Sequence, residues 1–267
     1  MPELPEVECV RRGILEEFLG QRVKSVWSRD TGHLLEANSL ALKKIAGMRL
    51  QGVERRGKFL LWRMERFQFL VHLGMTGVWS VSSPRQKHTR LELVFEDGRT
   101  LSYTDPRQFG SLCLLDSTQE LLRWTSLGPD AIDDSFSPNY LLVATRNSKV
   151  EAKVWLMDQK RVAGIGNIYA SEALFRAHVH PKRPANSLSE NECRLIVRET
   201  KKVMNLSIKN RGTTFSDYRQ TNGRGGSFQN FLRVFQKSGQ PCPTCGKSIE
   251  QIVQGGRSTF FCSHCQK

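Results

Sequence analysis

No apolar run in this 267-residue chain is long enough to span a bilayer, and no charged-then-apolar leader opens it. Nor is there a basic amphipathic helix or a lipidation signal, so a membrane is not the expected partner. Repeats, low-complexity tracts and heptads are missing too, which points away from solenoids and coiled-coil assemblies and towards a monomer. The scarcest feature is negative charge towards the end of the sequence. From Lys201 onward eleven Lys/Arg face only Asp217 and Glu250, a net charge of +9 out of +14 for the whole chain. Such asymmetry, with a pI near 9.8, points to a polyanion, and without membrane signals that polyanion is nucleic acid.

Disulfide frameworks are excluded by how cysteine is used. Cys9, Cys113 and Cys193 are scattered, as suits a reducing cytoplasm, and each reads as a small core residue. The other four form two tight pairs, Cys242-Pro243-Thr244-Cys245 and, 16 residues later, Cys262-Ser263-His264-Cys265. Two residues between cysteines let both sulfurs of one turn reach the same ion, and residues 246–261 can run out and back as a hairpin to deliver the second pair. One structural Zn²⁺ is expected, and a rubredoxin-like iron would suit the same ligands. Four thiolates leave no open coordination position, so the ion staples the fold and the chemistry lies elsewhere.

The pattern along the chain predicts an α+β protein. Residues 5–19 read as an amphipathic helix with Val7, Val10, Ile14 and Phe18 on one face, Pro5 in its first turn and Glu6 and Glu8 at its positive end. Eight short strands follow, over 23–27, 50–55, 59–63, 67–72, 78–81, 91–95, 101–104 and 111–115, with Asp97-Gly98 as a hairpin turn. That spacing predicts an antiparallel β-sandwich or flattened barrel. Gly128 to Pro138 is loop-rich and marks a boundary. Beyond it, Val154–Met157 lead into the loop Gly164-Ile165-Gly166-Asn167. Helices are expected over about 168–177 and from Ser189, capped by Glu192, to about Asn210. Thr213–Gly226 is polar and glycine-bearing, and the metal hairpin closes the chain.

Candidate chemistry begins at Pro2. A small second residue permits removal of Met1, which would expose a proline amine; α-amino groups titrate at roughly 7.7–8.0, so a good fraction is neutral and nucleophilic near pH 7. Attack by such an amine on a sugar anomeric carbon gives an iminium ion, an electron sink that enables elimination. Glu3 is placed to shuttle protons. Lys58 follows one strand, His72-Leu73-Gly74-Met75-Thr76-Gly77 another, and Asp105-Pro106-Arg107-Gln108-Phe109-Gly110 forms a third turn. Met75 and Phe109 beside glycines and cations suit loops that push a base out of a duplex, for which the wedges must offset about a few kcal/mol of unstacking.

Taken together, these segments resemble the bacterial formamidopyrimidine-DNA glycosylase family over essentially the whole length, from Pro2-Glu3-Leu4-Pro5-Glu6-Val7-Glu8 to the last Cys-x2-Cys. Gly164 to Phe175 resembles the family's helix–two-turn–helix DNA-binding element. The resemblance implies an N-terminal catalytic β-sandwich domain (1–131), a helical DNA-binding domain with a lesion-binding loop (132–236) and a four-cysteine zinc finger (237–267). It assigns Pro2 as Schiff-base nucleophile, Glu3 as general acid/base, Glu6 to the opened sugar and Lys58 to proton transfer in β-elimination, a phosphate clamp being an equally physical role for Lys58. Met75, Arg107 and Phe109 would fill the void, Arg107 meeting the orphaned cytosine. His72, His88, Lys149, Lys153 and Asn167 would contact DNA. Arg257 is assigned to δ-elimination, and its high pKa suits a phosphate anchor better than a proton donor. Residues 213–228 would close over the flipped base.

The implied activity is a bifunctional glycosylase and abasic-site lyase of base excision repair. Its partner would be double-stranded DNA carrying oxidised purines or abasic sites, in the bacterial cytoplasm at the nucleoid. Gln108 stands where arginine is common, Thr76 where serine is frequent, and Ser148 where a basic residue is usual. Two other readings are an endonuclease VIII-like glycosylase for oxidised pyrimidines and a non-catalytic, zinc-dependent DNA-binding protein. Leu4 and the Met75, Arg107 and Phe109 set speak against the first; Pro2, Glu3 and Lys58 speak against the second.

Overall fold

A computed structural model describes residues 2–29, 42–82, 84–115, 118–214 and 218–267; Met1 and residues 215–217 of the expected lid lie outside the described residues. The chain divides into two compact units, Met1–Ser126 with Ile208–Gln229, and Leu127–Ser207 with Asn230–Lys267.

The first unit opens with helix α1 (Leu4–Phe18), which buries Val7, Val10, Ile14 and Phe18 at the i, i+3, i+4 spacing of one helical face. Eight strands follow: β1 (Val23–Ser28), β2 (Leu50–Arg56), β3 (Phe59–Met64), β4 (Gln68–His72), β5 (Val78–Val81), β6 (Thr89–Phe95), β7 (Thr100–Thr104) and β8 (Ser111–Leu114). They form two antiparallel sheets of order β1-β6-β7-β5 and β2-β3-β4-β8, the expected sandwich. Asp97-Gly98 turns the β6–β7 hairpin, with Gly98 at φ +86°. A run of aromatic contacts ties the two sheets together: Phe69 to Trp62 at 5.0 Å, Trp62 to Trp79 at 5.1 Å and Trp79 to Tyr103 at 5.0 Å. Stacking of Phe18 on Phe95 at 4.2 Å fixes the end of α1 to the same core. Helix α2 (Thr118–Thr125) ends this stretch.

The second unit contains α3 (Pro138–Thr145), α4 (Ala152–Met157), α5 (Asn167–Arg176), α6 (Glu190–Lys209, which runs on into the first unit) and the hairpin β9 (Glu250–Gln254) and β10 (Arg257–Phe261). The capping box at Ser189 is present: Glu192 N–H donates to the Ser189 hydroxyl at 3.3 Å and Ser189 N–H donates to Glu192 at 2.8 Å. Three short helices, α2, α3 and α4, go beyond what the pattern predicts; residues 154–157 are the last four of α4 and lead into the loop before α5. Eight residues or fewer give little periodicity. The one local sign at α3 is Ser137, whose hydroxyl accepts the Tyr140 N–H, followed by Pro138 in the first turn. No helix among the described residues is long and apolar enough to cross a membrane.

Candidate functional site

In the first unit the site begins at the head of α1. Glu3 is the N-cap residue and Glu6 stands three residues on, closing a capping box ahead of the apolar run. Glu6 accepts the Glu3 N–H at 2.9 Å through one carboxylate oxygen and the Thr213 N–H at 2.8 Å through the other. Pro2, Glu3 and Glu6 are all buried. One turn along, Glu8 meets Arg11, Arg12 and Arg55. Burial pushes its carboxyl up, but the guanidinium groups of Arg11, Arg12 and Arg55 pull it further, down to about 2.

Those arginines also set the direction of the helix. Arg11 donates to the Val53 carbonyl at 3.4 Å and Arg55 donates to Glu8 at 3.1 Å, so α1 runs antiparallel to β2. The β2–β3 hairpin turns at Gly57-Lys58. Gly57 takes φ +56° at the first central position of that two-residue hairpin, a conformation glycine supplies without strain. Lys58 is consequently held inside the protein, 6% exposed. His72 lies across from Phe59 on β4, its ring 4.7 Å from the phenyl. Burial and the nearby Lys58 ammonium push its imidazole down to about 4, so the ring is neutral at pH 7. Its Nδ1 accepts the Gly74 N–H at 3.2 Å, which leaves the proton on Nε2.

Two further loops carry the expected wedges. Phe109 is 57% exposed, and the Arg107 guanidinium lies 4.9 Å from its ring centroid. Met75 is half-buried. His88 is half-buried as well, and its carbonyl accepts the Asp105 N–H at 3.0 Å. A cavity of about 300 Å³ opens beside these loops, lined by Thr76, Val78, Thr104, Pro106 and, from the expected lid, Arg219 and Gln220.

The second unit assembles a separate group of polar residues. Asn167 is the first residue of α5, after Gly164 (φ +101°) and the N-cap Gly166. Lys153 is buried, and its ammonium donates to Asn167 Oδ1 at 2.5 Å, Thr259 Oγ1 at 2.6 Å and the Ser258 carbonyl at 3.3 Å. Asn167 also donates to the Ser258 carbonyl, at 2.9 Å. The loop behind α5 is thus tied to β10, whose first residue is the exposed Arg257. Lys149 lies exposed on the segment between α3 and α4. A buried carboxylate escaped the reading of the sequence: Glu172, fully buried, accepts the backbone N–H groups of Arg233, Val234 and Phe235 at 2.9–3.0 Å. Those three amides lie 61 to 63 residues away, so no local spacing could have revealed them; Arg176, one helical turn on, adds an ion pair at 3.4 Å.

The four thiols of the C-terminal hairpin converge. Among the described residues, Cys242, Cys245, Cys262 and Cys265 form the one cluster able to hold a metal, their sulfurs all within 4.8 Å of one another. Cys242 to Cys265 is 3.8 Å and Cys245 to Cys262 is 3.5 Å. Zinc–sulfur bonds of about 2.3 Å in a tetrahedron separate sulfurs by about 3.8 Å, so this donor set fits one structural zinc ion.

Comparison with known proteins covers the same segments. Residues 1–112 match the formamidopyrimidine-DNA glycosylase N-terminal domain, residues 127–219 the H2TH domain of the same glycosylase, and residues 239–267 the zinc finger found in FPG and IleRS. The chain is 42% identical over 269 residues to the formamidopyrimidine-DNA glycosylase of Photorhabdus laumondii and 43% identical over 270 residues to that of Pectobacterium carotovorum, covering all of each. The crystal structure of the MutM (Fpg) protein from Thermus thermophilus superposes with a TM-score of 0.89 at 42% identity, over 99% of this chain and 98% of that one. A Lactococcus lactis Fpg mutant in complex with Fapy-dG-containing DNA gives 0.92 at 34% identity, with full coverage of both.

Proposed function

The chain belongs to the formamidopyrimidine-DNA glycosylase family, and from that premise we propose that it is a bifunctional DNA glycosylase and abasic-site lyase of base excision repair. Its substrate is double-stranded DNA carrying 8-oxoguanine, formamidopyrimidines or abasic sites. The observation that supports this reading is that Pro2 and Glu3 are buried at the head of α1 and that Lys58 is buried in the β2–β3 turn of the same unit. A Lactococcus lactis Fpg mutant has been crystallised with DNA containing Fapy-dG, and Lactococcus lactis Fpg with DNA containing an abasic site; the same substrates suit this chain.

In the proposed sequence Met75, Arg107 and Phe109 replace the flipped base in the stack, Arg107 facing the orphaned cytosine, and the base enters the cavity between Thr76 and Arg219–Gln220. The neutral amine of Pro2 attacks C1′; the glycosidic bond breaks, and the base leaves with a proton relayed by Glu3. Ring opening gives an iminium, which acidifies C2′–H. Loss of that proton expels the 3′-phosphate, a second elimination expels the 5′-phosphate, and water releases the sugar remnant from Pro2. Lys58 and the N–H-bearing face of His72 supply donors beside the start of the chain, while Glu6 braces the Glu3 amide and Thr213. Asn167, Lys149 and Arg257 hold backbone phosphates, with Lys153 orienting Asn167. The zinc ion on Cys242, Cys245, Cys262 and Cys265 maintains the hairpin. The enzyme acts as a monomer.

Borohydride added to the protein with an 8-oxoguanine duplex should trap one protein–DNA adduct per chain, with the DNA attached at Pro2 by mass spectrometry. No adduct, or equal trapping after Pro2→Gly or on a chain that keeps Met1, overturns the mechanism. A second reading, removal of oxidised pyrimidines, draws on the Lactococcus lactis complex with oxidised-pyrimidine DNA. Relative turnover of 8-oxoguanine and thymine-glycol duplexes separates the two.

A further inference from the structure

We infer that Thr76 and Asp105 are positioning residues that hold the two wedge-bearing loops in one register, and that this register sets how strongly the enzyme favours cytosine opposite the lesion. The inference rests on the reading above that Arg107 meets the orphaned base.

Asp105 is fully buried, where a carboxylate is costly unless donors surround it. Its two oxygens reach two loops. One accepts the Thr76 hydroxyl at 2.5 Å, from the loop carrying Met75; the other accepts the Gly110 N–H at 2.8 Å, closing its own loop behind Arg107 and Phe109. The same Thr76 oxygen accepts the Arg107 N–H at 3.3 Å, so one hydroxyl joins the neighbour of Met75 directly to the arginine backbone. Behind the carboxylate, Arg90 donates to the Asp105 carbonyl at 3.2 Å, and the Asp105 N–H donates to His88.

Packing leaves the bracket little room to shift. A Cβ on Gly74 would lie 2.4 Å from the Gly110 nitrogen, and a Cβ on Gly77 or Gly110 would lie 2.2 Å or 1.9 Å from the Tyr103 hydroxyl. Both loops therefore meet backbone to backbone over one tyrosine, whose hydroxyl donates to the Leu73 carbonyl at 3.5 Å, and Thr76 with Asp105 supplies the shorter polar link. Thr76→Val keeps the shape of the side chain but neither donates to Asp105 nor accepts from Arg107. Thr76→Ser keeps both bonds. Asp105→Asn conserves volume but puts an N–H against one of two donors.

The test is single-turnover excision from 8-oxoguanine:C and 8-oxoguanine:A duplexes at saturating enzyme, with thermal melting of each variant. Wild type should favour C. Loss of one charge-assisted hydrogen bond corresponds to about a tenfold effect, so Thr76→Val and Asp105→Asn should reduce the C:A ratio about tenfold, while Thr76→Ser restores it. A residue that only stabilised the fold would lower melting and both rates together, leaving the ratio unchanged. A folded Thr76→Val with the wild-type ratio overturns the inference. Should that variant not fold, a wild-type ratio in Asp105→Asn does the same. Wild type that cuts both duplexes equally also overturns it, whereas wild type that cuts neither overturns the proposed function itself.

Discussion

Two glycine-built hairpins each present a cation, and they do so by opposite means. At β2–β3, Gly57 takes the positive φ and Lys58 sits inside the turn, buried beside the neutral His72. At β9–β10, Gly255 and Gly256 take φ +52° and +71°, and Arg257 follows them out into solvent. The first hairpin is backed by the sandwich core and its aromatic run; the second belongs to a short C-terminal segment with two strands and four converging thiols. In the roles proposed above, Lys58 would work on a proton, which needs a dry and fixed setting, whereas Arg257 would anchor a phosphate, which needs reach and water at its edge. A large core supplies the first. A segment too small to build such a core relies on a metal instead.

The largest expected effect breaks that contrast at the metal. Chelation, or Cys262→Ser, should unfold residues 239–267 and cut DNA cleavage by at least about a hundredfold, while the sandwich keeps its structure. Hydrogen exchange across β9–β10 and across β2–β3 reads both sides of the comparison; protected β9–β10 amides after metal removal would contradict it. Next comes Glu172→Gln, which turns an acceptor for three backbone amides into a partial donor inside the second unit. It should cost about 3 kcal/mol of stability in urea unfolding.

Titration sharpens the comparison on the sandwich side. His72 is held below its ordinary value, at about 4, so the folded state disfavours its charged form. Its contribution is complete above pH 6.5 and is lost as pH falls from 6.5 through 4, on the order of 2 kcal/mol for a partly exposed ring. Glu8, held at about 2, contributes above its ordinary 4.5 and loses that contribution between 4.5 and 2. Stability against pH should therefore fall in two steps, and His72→Phe should flatten only the upper one. The smallest effect is Gly256→Ala. Nothing lies within 4 Å of the added methyl, so the cost is conformational alone, about 1 kcal/mol by thermal melting.

Much of this architecture was legible before any coordinates. The eight strands lie close to where short alternating or β-rich runs placed them, because β-branched and aromatic residues between turn signals mark a strand even where burial does not alternate. The two long helices were visible through their apolar faces, and the Ser189–Glu192 capping box through its spacing. The short helices α2, α3 and α4 carry too few turns to show a period. The four cysteines were readable from their spacing, and Pro2, Glu3 and Lys58 were singled out as candidates by residue type in pattern. The brace formed by Glu6 and Thr213, 207 residues apart, was not.

What the sequence alone determined is what neighbouring residues decide among themselves: strand and helix periods, the glycine turns, and the Cys-x2-Cys spacing that commits four thiols to one ion. Tertiary structure decided which charges are dry. The neutrality of His72, the burial of Lys58 and Lys153, and the partners of Glu6, Asp105 and Glu172 all depend on groups brought together from distant positions. Solvation and Coulomb energy follow distance in space, and the fold sets that distance independently of separation along the chain.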